Sequence, residues 1–289
     1  MTNPIPPYGP GGYSPTGTEQ PGTAQPRMVP VERPVTKPTV TYTILAITVF
    51  VYLLQELTRM GIAREPFLAL SQMIFGPEVL QALLQNGWGD SLLTLLGGKI
   101  NELIIAGQYW RLLTPALLHA SLTHIGFNMY ALYAIGSTLE SFYGHQRFLM
   151  LYIVGALGGN VLSFLMTRGL SVGASTAIFA LVAAEGVFIY QNRAIFGSQA
   201  RAMLSNVVFI VIINLGLGFL PGIDNFGHLG GLIAGLAFGW FAGPRFEVEP
   251  DFTGRYKLVD KSNPSTAWLV AIVMVILILG VAFLRIRQG

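Results

Sequence analysis

Serine is a weak nucleophile until a neighbouring base takes its proton, and a neutral imidazole is the usual base near neutral pH. The chain carries that pair as Ser175, within Gly173-Ala174-Ser175-Thr176, and His228, within Gly227-His228 and followed by Gly231 and Gly235. Acyl transfer also needs donors aimed at the developing oxyanion. The His124 imidazole, the Asn128 amide and the backbone N–H of Ser175 can supply them, each worth about 2–4 kcal/mol. His124 and Asn128 are four residues apart and share a helix face, while His228, Gly231 and Gly235 share a stripe on another. If that stripe of small residues receives the segment Gly173-Ala174-Ser175, the two backbones approach closely enough for the Ser175 hydroxyl to reach His228.

No carboxylate has an evident place as a third member, since Asp224 lies in the loop before His228 and Glu185 far down the span that follows Ser175. A Ser–His dyad is the simpler arrangement. The remaining polar residues have blander readings. His119 is five residues before His124, about 140° around a helix, so a structural hydrogen bond is expected of it. His145, beside Arg147, reads as structural; Glu140 braces a neighbouring loop or is solvated, and Glu185 snorkels or pairs within the bundle. Taken alone, Ser175 would be a helix cap, and the Gly231-xxx-Gly235 stripe would mean only close helix approach.

Several classes are excluded. There is no cysteine, hence no disulfide, thiolate metal site or cysteine nucleophile. No His-Glu-x-x-His helix is present, and Asp90, Asp224, Asp251 and Asp260 fall in loops or edges, so neither a metalloprotease nor an aspartyl protease fits. The last apolar run has no lysine to hold retinal and the spans carry no charged relay, against a receptor or transporter. With a net charge of +3 and scattered basic residues, no nucleic-acid footprint is expected.

The elements that must position these groups are set by hydropathy. Of 289 residues, 52% are hydrophobic and 11% charged, about half the charged share of a soluble domain. The apolar residues gather into runs able to cross a bilayer core, which takes roughly 20 helical residues. Seven spans are expected, at about 40–57, 115–139, 147–167, 172–190, 203–221, 226–242 and 266–284. The polar clusters fall on the second, fourth and sixth, which descend from the same face. From those boundaries, Ser175 and His228 would lie about 5 Å below the span starts and His124 about 13 Å. That depth suits a cavity open to water, the second substrate of any hydrolase.

Residues 1–38, rich in Pro, Gly, Thr and Gln, read as a disordered tail without the pattern of a secretory signal. Shorter apolar stretches between the first two spans, Val79 to Leu84 and Leu92 to Leu96, read as interfacial helices. Ten of the 17 basic residues fall on one side of the bundle if the amino terminus is cytoplasmic, and the positive-inside rule favours that orientation.

Trp110-Arg111, His119, His124-xxx-Asn128, Gly173-Ala174-Ser175 and His228-xx-Gly231-xxx-Gly235, in that order on alternate spans after a long first loop, resemble the rhomboid family of intramembrane serine proteases over about residues 40–243. The resemblance implies an all-α polytopic membrane protein: a six-helix catalytic core (39–243) after the cytoplasmic tail (1–38), then a cytoplasmic linker (244–265) and a seventh, carboxyl-terminal helix (266–289). It implies Ser175 as nucleophile, His228 as base, and His124, Asn128 and the Ser175 amide as the oxyanion hole. It places Phe179 as the aromatic packed on the base and Trp110 and Arg111 in the lateral first loop, with Gly173, Gly231, Gly235 and His119 in support. It also implies no cofactor and no metal, and transmembrane segments of other proteins as substrates, cut near the external face. The competing expectation is a non-proteolytic relative that binds membrane clients, whose usual mark is loss of the serine or histidine. Thr176 stands where the family most often has Gly and is expected to crowd the site without removing a reacting group.

Overall fold

The computed structural model describes residues 31–32, 36–62, 64–85, 92–250, 252 and 255–288. The tail expected over 1–38 lies outside them apart from 31–32 and 36–38. The first long helix, α1 (Thr39–Arg59), is followed by short helices α2 (Arg64–Phe75), α3 (Pro77–Gln85), α4 (Leu92–Gly97) and α5 (Asn101–Ile105) and by two 3₁₀ turns, Tyr109–Leu112 and Thr114–Leu117. Helix α6 (Leu122–Ala131) runs through a π turn at Leu132–Gly136 into α7 (Ser137–Met166). Then come α8 (Ser175–Gln191), α9 (Arg193–Phe196), α10 (Gln199–Leu217), α11 (Asn225–Ala242) and α12 (Pro264–Arg287).

Among the described residues four helical stretches are long and apolar enough to cross a membrane: Thr39–Arg59, the continuous run Leu122–Met166, Gln199–Leu217 and Pro264–Arg287. Gly144, at φ 73° and ψ 164°, breaks the long run into two arms, which turns one apolar run into two helices of near-spanning length. Helix α8 is apolar but shorter, and α11 is rich in glycine. The chain is a helical, polytopic integral membrane protein.

Two of the boundaries that differ from the hydropathy reading bear on the site. The second span does not start at 115: Pro115 sits in a 3₁₀ turn, and Ser121, extended at φ −155° and ψ 165°, accepts from the His124 N–H and starts α6 at Leu122. A side-chain cap outweighs apolar character in setting where a helix begins. The fourth span, α8, starts at Ser175 rather than 172, because Gly173 holds φ +134°, outside helical space.

The centre of the fold is α11 laid against α7 and α8. A side chain on Gly231 would overlap the Thr176 carbonyl oxygen, and one on Gly235 the Ala180 carbonyl. On the other face, Gly230 lies against the Gly158 carbonyl. Small residues thus replace side-chain layers with near backbone contact, the packing mode of membrane helices that lack a hydrophobic drive to associate. Phe148, Leu151, Leu181 and Phe238 fill the fully buried space around it. Helix α10 instead turns Val208, Phe209, Ile212 and Ile213 outward, a face suited to lipid.

Glu140 is fully buried and accepts from the N–H groups of Val40 (2.9 Å) and Thr41 (2.7 Å), from Thr41 Oγ1 (2.6 Å), and shares a 2.6 Å contact with His145 Nδ1. It therefore caps the first turn of α1, where backbone donors have no intrahelical partner and the helix dipole favours a carboxylate. Glu140 is not solvated, and what it braces is the start of a helix rather than a neighbouring loop.

The segment 244–265 contains a β-hairpin, β2 (Phe246–Pro250) and β3 (Tyr256–Asp260), paired antiparallel from Phe246↔Asp260 to Pro250↔Tyr256. Residues Val31–Glu32, β1, add a short parallel strand along the β3 edge. Asp260 anchors the hairpin, bridging to Arg147 of α7 and accepting from the Arg245 N–H at 3.1 Å.

Candidate active site

The first loop is built around helix α4, whose last carbonyls have no partners within the helix. Arg111, fully buried, donates to the carbonyls of Leu95 and Gly98 (both 2.6 Å) and to Gln108 Oε1 (2.8 Å). Trp110 Nε1 donates to Leu96 O (3.0 Å) and Thr114 Oγ1 to Gly97 O (2.7 Å). Four consecutive carbonyls are thus satisfied, and a guanidinium lies at the negative end of the helix dipole. Trp110 and Arg111 act on the shape of the loop, where the arginine fork supplies planar donors that a lysine could not.

This loop leads into the segment before α6. Gln55 of α1 holds the backbone of His119 on both sides, donating to its carbonyl (3.3 Å) and accepting from its N–H (3.0 Å). Because 118–121 is not helical, His119 is not turned away from His124: the two rings meet edge to face at 5.0 Å. The separation expected from helical spacing is therefore wrong, because the helix begins only at Leu122. His119 is fully buried, and its Nε2 accepts from the Ala174 N–H at 3.4 Å, so it braces the residue next to Ser175.

The same boundary corrects the depth of His124. It stands in the first turn of α6, as Ser175 does in α8 and His228 in α11, not about 8 Å further down. The Ala120 N–H points at His124 Nδ1 (3.4 Å), which leaves the ring proton on Nε2. That nitrogen faces Gly173: a Cβ there would stand 2.8 Å from it and 3.6 Å from Ser175 Oγ. Gly173 is thus required twice, by its positive φ and by the space the imidazole occupies. Asn128 is buried, and one of its amide N–H groups goes to the His124 carbonyl at 2.9 Å, along its own helix.

Ser175 opens α8, and as the first residue of a helix its N–H has no intrahelical acceptor. Its Oγ lies 2.9 Å from His228 Nε2. The His228 ring is stacked on Phe179, centroids 4.3 Å apart and planes 15° from parallel, which fixes its plane without a polar partner. Nδ1 of His228 is buried with no hydrogen-bond partner among the described residues. Asp224 caps α11 instead, accepting from the Gly227 N–H at 2.9 Å and from Ser163 Oγ. Gly231 and Gly235 sit below, against Thr176 and Ala180.

The structure brings Ser175, His228, Phe179, Gly173, His124 and His119 together, with Asn128 alongside on α6 and Trp110 and Arg111 in the supporting loop. The crowding expected of Thr176 does not arise, because its side chain lies between Gly159 of α7 and Gly227 at the start of α11. Gln55, Asn160 (donating to Leu112 O at 3.1 Å) and Ser163 also support the site. Their only mark in the sequence is polarity within apolar helices. Among the described residues no group of His, Asp and Glu is arranged to hold a metal.

The Rhomboid domain family model matches residues 106–245. The rhomboid protease GluP of Bacillus subtilis (strain 168) is 36% identical over 203 residues, which is 69% of this chain and 34% of that protein. RHOMBOID-like protein 2 of Arabidopsis thaliana is 35% identical over 218 residues, 72% of this chain and 68% of that protein. RHOMBOID-like protein 1 of Arabidopsis thaliana is 37% identical over 187 residues. The chain spans about a third of the length of the Bacillus relative and about two thirds of the first of the plant ones.

Proposed function

From the premise that this chain belongs to the rhomboid family, we propose that it is a serine endopeptidase of the membrane, with Ser175 as nucleophile and His228 as base. The observation that carries the reading is the 2.9 Å separation of Ser175 Oγ and His228 Nε2 at the first turns of two closely packed helices. Ser175 Oγ attacks the scissile carbonyl carbon as its proton passes to Nε2. The oxyanion takes donors from the Ser175 N–H, His124 Nε2 and the second N–H of Asn128, and collapse releases the amine with the proton from His228. Water then attacks the acyl-enzyme by the same proton path and regenerates the hydroxyl.

Substrates on this reading are transmembrane segments of other proteins, entering from the bilayer and cut near the external face, with the amino terminus of the enzyme cytoplasmic. Purified protein in liposomes should cleave a single-span substrate, and Ser175→Ala or His228→Ala should stop it while leaving the fold intact. Cleavage persisting in both variants would sink the assignment. Client capture without cleavage by the unaltered chain would favour a non-proteolytic client-binding role.

A further inference from the structure

Lys99 lies in the loop between α4 and α5 and is fully buried. Its backbone pairs with Ser171, N–H to O at 3.0 Å and O to N–H at 3.1 Å, in the segment that leads into Ser175. Its ammonium has three donors and meets three acceptors: Asn101 Oδ1 (3.1 Å), Thr167 O (3.2 Å) and Thr167 Oγ1 (3.1 Å). Holding the loop on α7 does not require a charge, since the Asn101 amide already donates to Phe164 O (3.1 Å) and Thr167 O (2.8 Å). A buried cation is costly, so what lies beyond it matters.

Beyond Thr167 a hydroxyl chain continues. Thr167 Oγ1 is 3.0 Å from Ser163 Oγ, Ser163 Oγ donates to Asp224 Oδ2, and Asp224 Oδ1 accepts the N–H of Gly227, the residue before His228. The His228 N–H in turn bonds the Asp224 carbonyl at 3.1 Å. With a cation at one end and a carboxylate at the other, Thr167 accepts from Lys99 and Ser163 donates to Asp224, while the one Thr167 hydroxyl proton is divided between the Ser163 carbonyl at 2.8 Å and Ser163 Oγ at 3.0 Å. Where that proton lies on Ser163 Oγ the bonds are aligned and strengthen one another.

We propose that Lys99 is a positioning residue for His228, acting through Thr167, Ser163 and Asp224 on the first turn of α11. The inference rests on His228 being the base. The charged groups acting on Lys99 are Asp224, ahead of α11, and Glu102 of α5; burial outweighs both and brings the ammonium down to about 8. Above that pH the amine loses its charge and one donor, the chain loses its direction, and the hold on Gly227 and His228 loosens.

The test uses the full chain in detergent and liposomes, comparing wild type, Lys99→Met, Ser163→Ala and the double variant. Two readouts are followed: kcat against pH from 6 to 10 on a single-span substrate, and hydrogen-exchange protection of residues 225–230 corrected for intrinsic rates. Wild type should show a falling limb near pH 8 that both single variants lose, with kcat at neutral pH lowered about tenfold, as for one charge-assisted hydrogen bond. The double variant should be no worse than the poorer single one, and protection at Gly227 and His228 should drop in all three. Unchanged protection and an unchanged pH profile in folded Lys99→Met would overturn the proposal, as would additive losses. If Lys99→Met does not fold, Ser163→Ala, which removes one hydroxyl, decides by the same readouts. Wild type that fails to cleave at all refutes the protease reading instead, while the exchange measurement still judges Lys99.

Discussion

A Cβ placed on Gly159 would stand 2.5 Å from the Cβ of Thr176, and one on Gly227 would stand 3.2 Å from its Cγ2. The bulk that Thr176 adds after the nucleophile is received by glycines on the two neighbouring helices, so the residue fills a space rather than entering the site. Gly159→Ala should therefore cost about 1–3 kcal/mol by overpacking, and Thr176→Gly in the same chain should recover part of it. Thermal unfolding of the four members of the cycle in detergent checks this; losses that simply add would refute the pairing.

Gly231 is the stricter position, because a Cβ there would stand 2.0 Å from the Thr176 carbonyl oxygen, against 2.6 Å from the Gly227 carbonyl oxygen for one on Gly159. Gly231→Val should push α11 off α8, lowering both the melting temperature and the cleavage rate. An enzyme unaffected in both would contradict the packing described.

A fluorophosphonate probe should label Ser175 in wild type and fail in His228→Ala, because the hydroxyl needs the imidazole 2.9 Å away to give up its proton. Labelling that survives without His228 would mean another base. His124→Ala should retain some labelling but lower kcat by about 10²–10³, the usual effect of one lost oxyanion donor.

Glu140→Ala removes the cap of α1 and strands the buried N–H of Thr41. A loss of about 1–3 kcal/mol is expected for such an orphaned donor, with residual activity in the folded fraction unchanged. Equal stability of mutant and wild type in denaturant titration would show that water replaces the carboxylate.

Asp260 supplies a pH dependence outside the membrane helices. Burial alone would raise its carboxyl, but hydrogen bonds from Arg147 and Ser262 outweigh it and hold it below its ordinary value. A depressed folded-state pKa contributes stability that is full above the unfolded value and is lost as pH falls through the folded one. Unfolding midpoints should thus decline in acid in wild type and less steeply in Asp260→Asn; parallel curves would remove Asp260 from that role.

By itself the sequence determined the membrane class, the order of the apolar helices and the constellation of Ser175, His228, His124 and Asn128. Hydropathy over a span and the 3.6-residue period are local properties, readable wherever the chain is regular. It did not determine where α6 begins, and the relation of His119 to His124 turned on that boundary: one capping hydrogen bond at Ser121 changed a separation around a helix into ring contact. Nor could it show that Glu140 closes the start of α1, that Thr176 meets Gly159, or that Lys99 meets Thr167. Those partners lie on different helices or loops, and only the packing of whole helices sets which polar group is left buried and which neighbour must satisfy it.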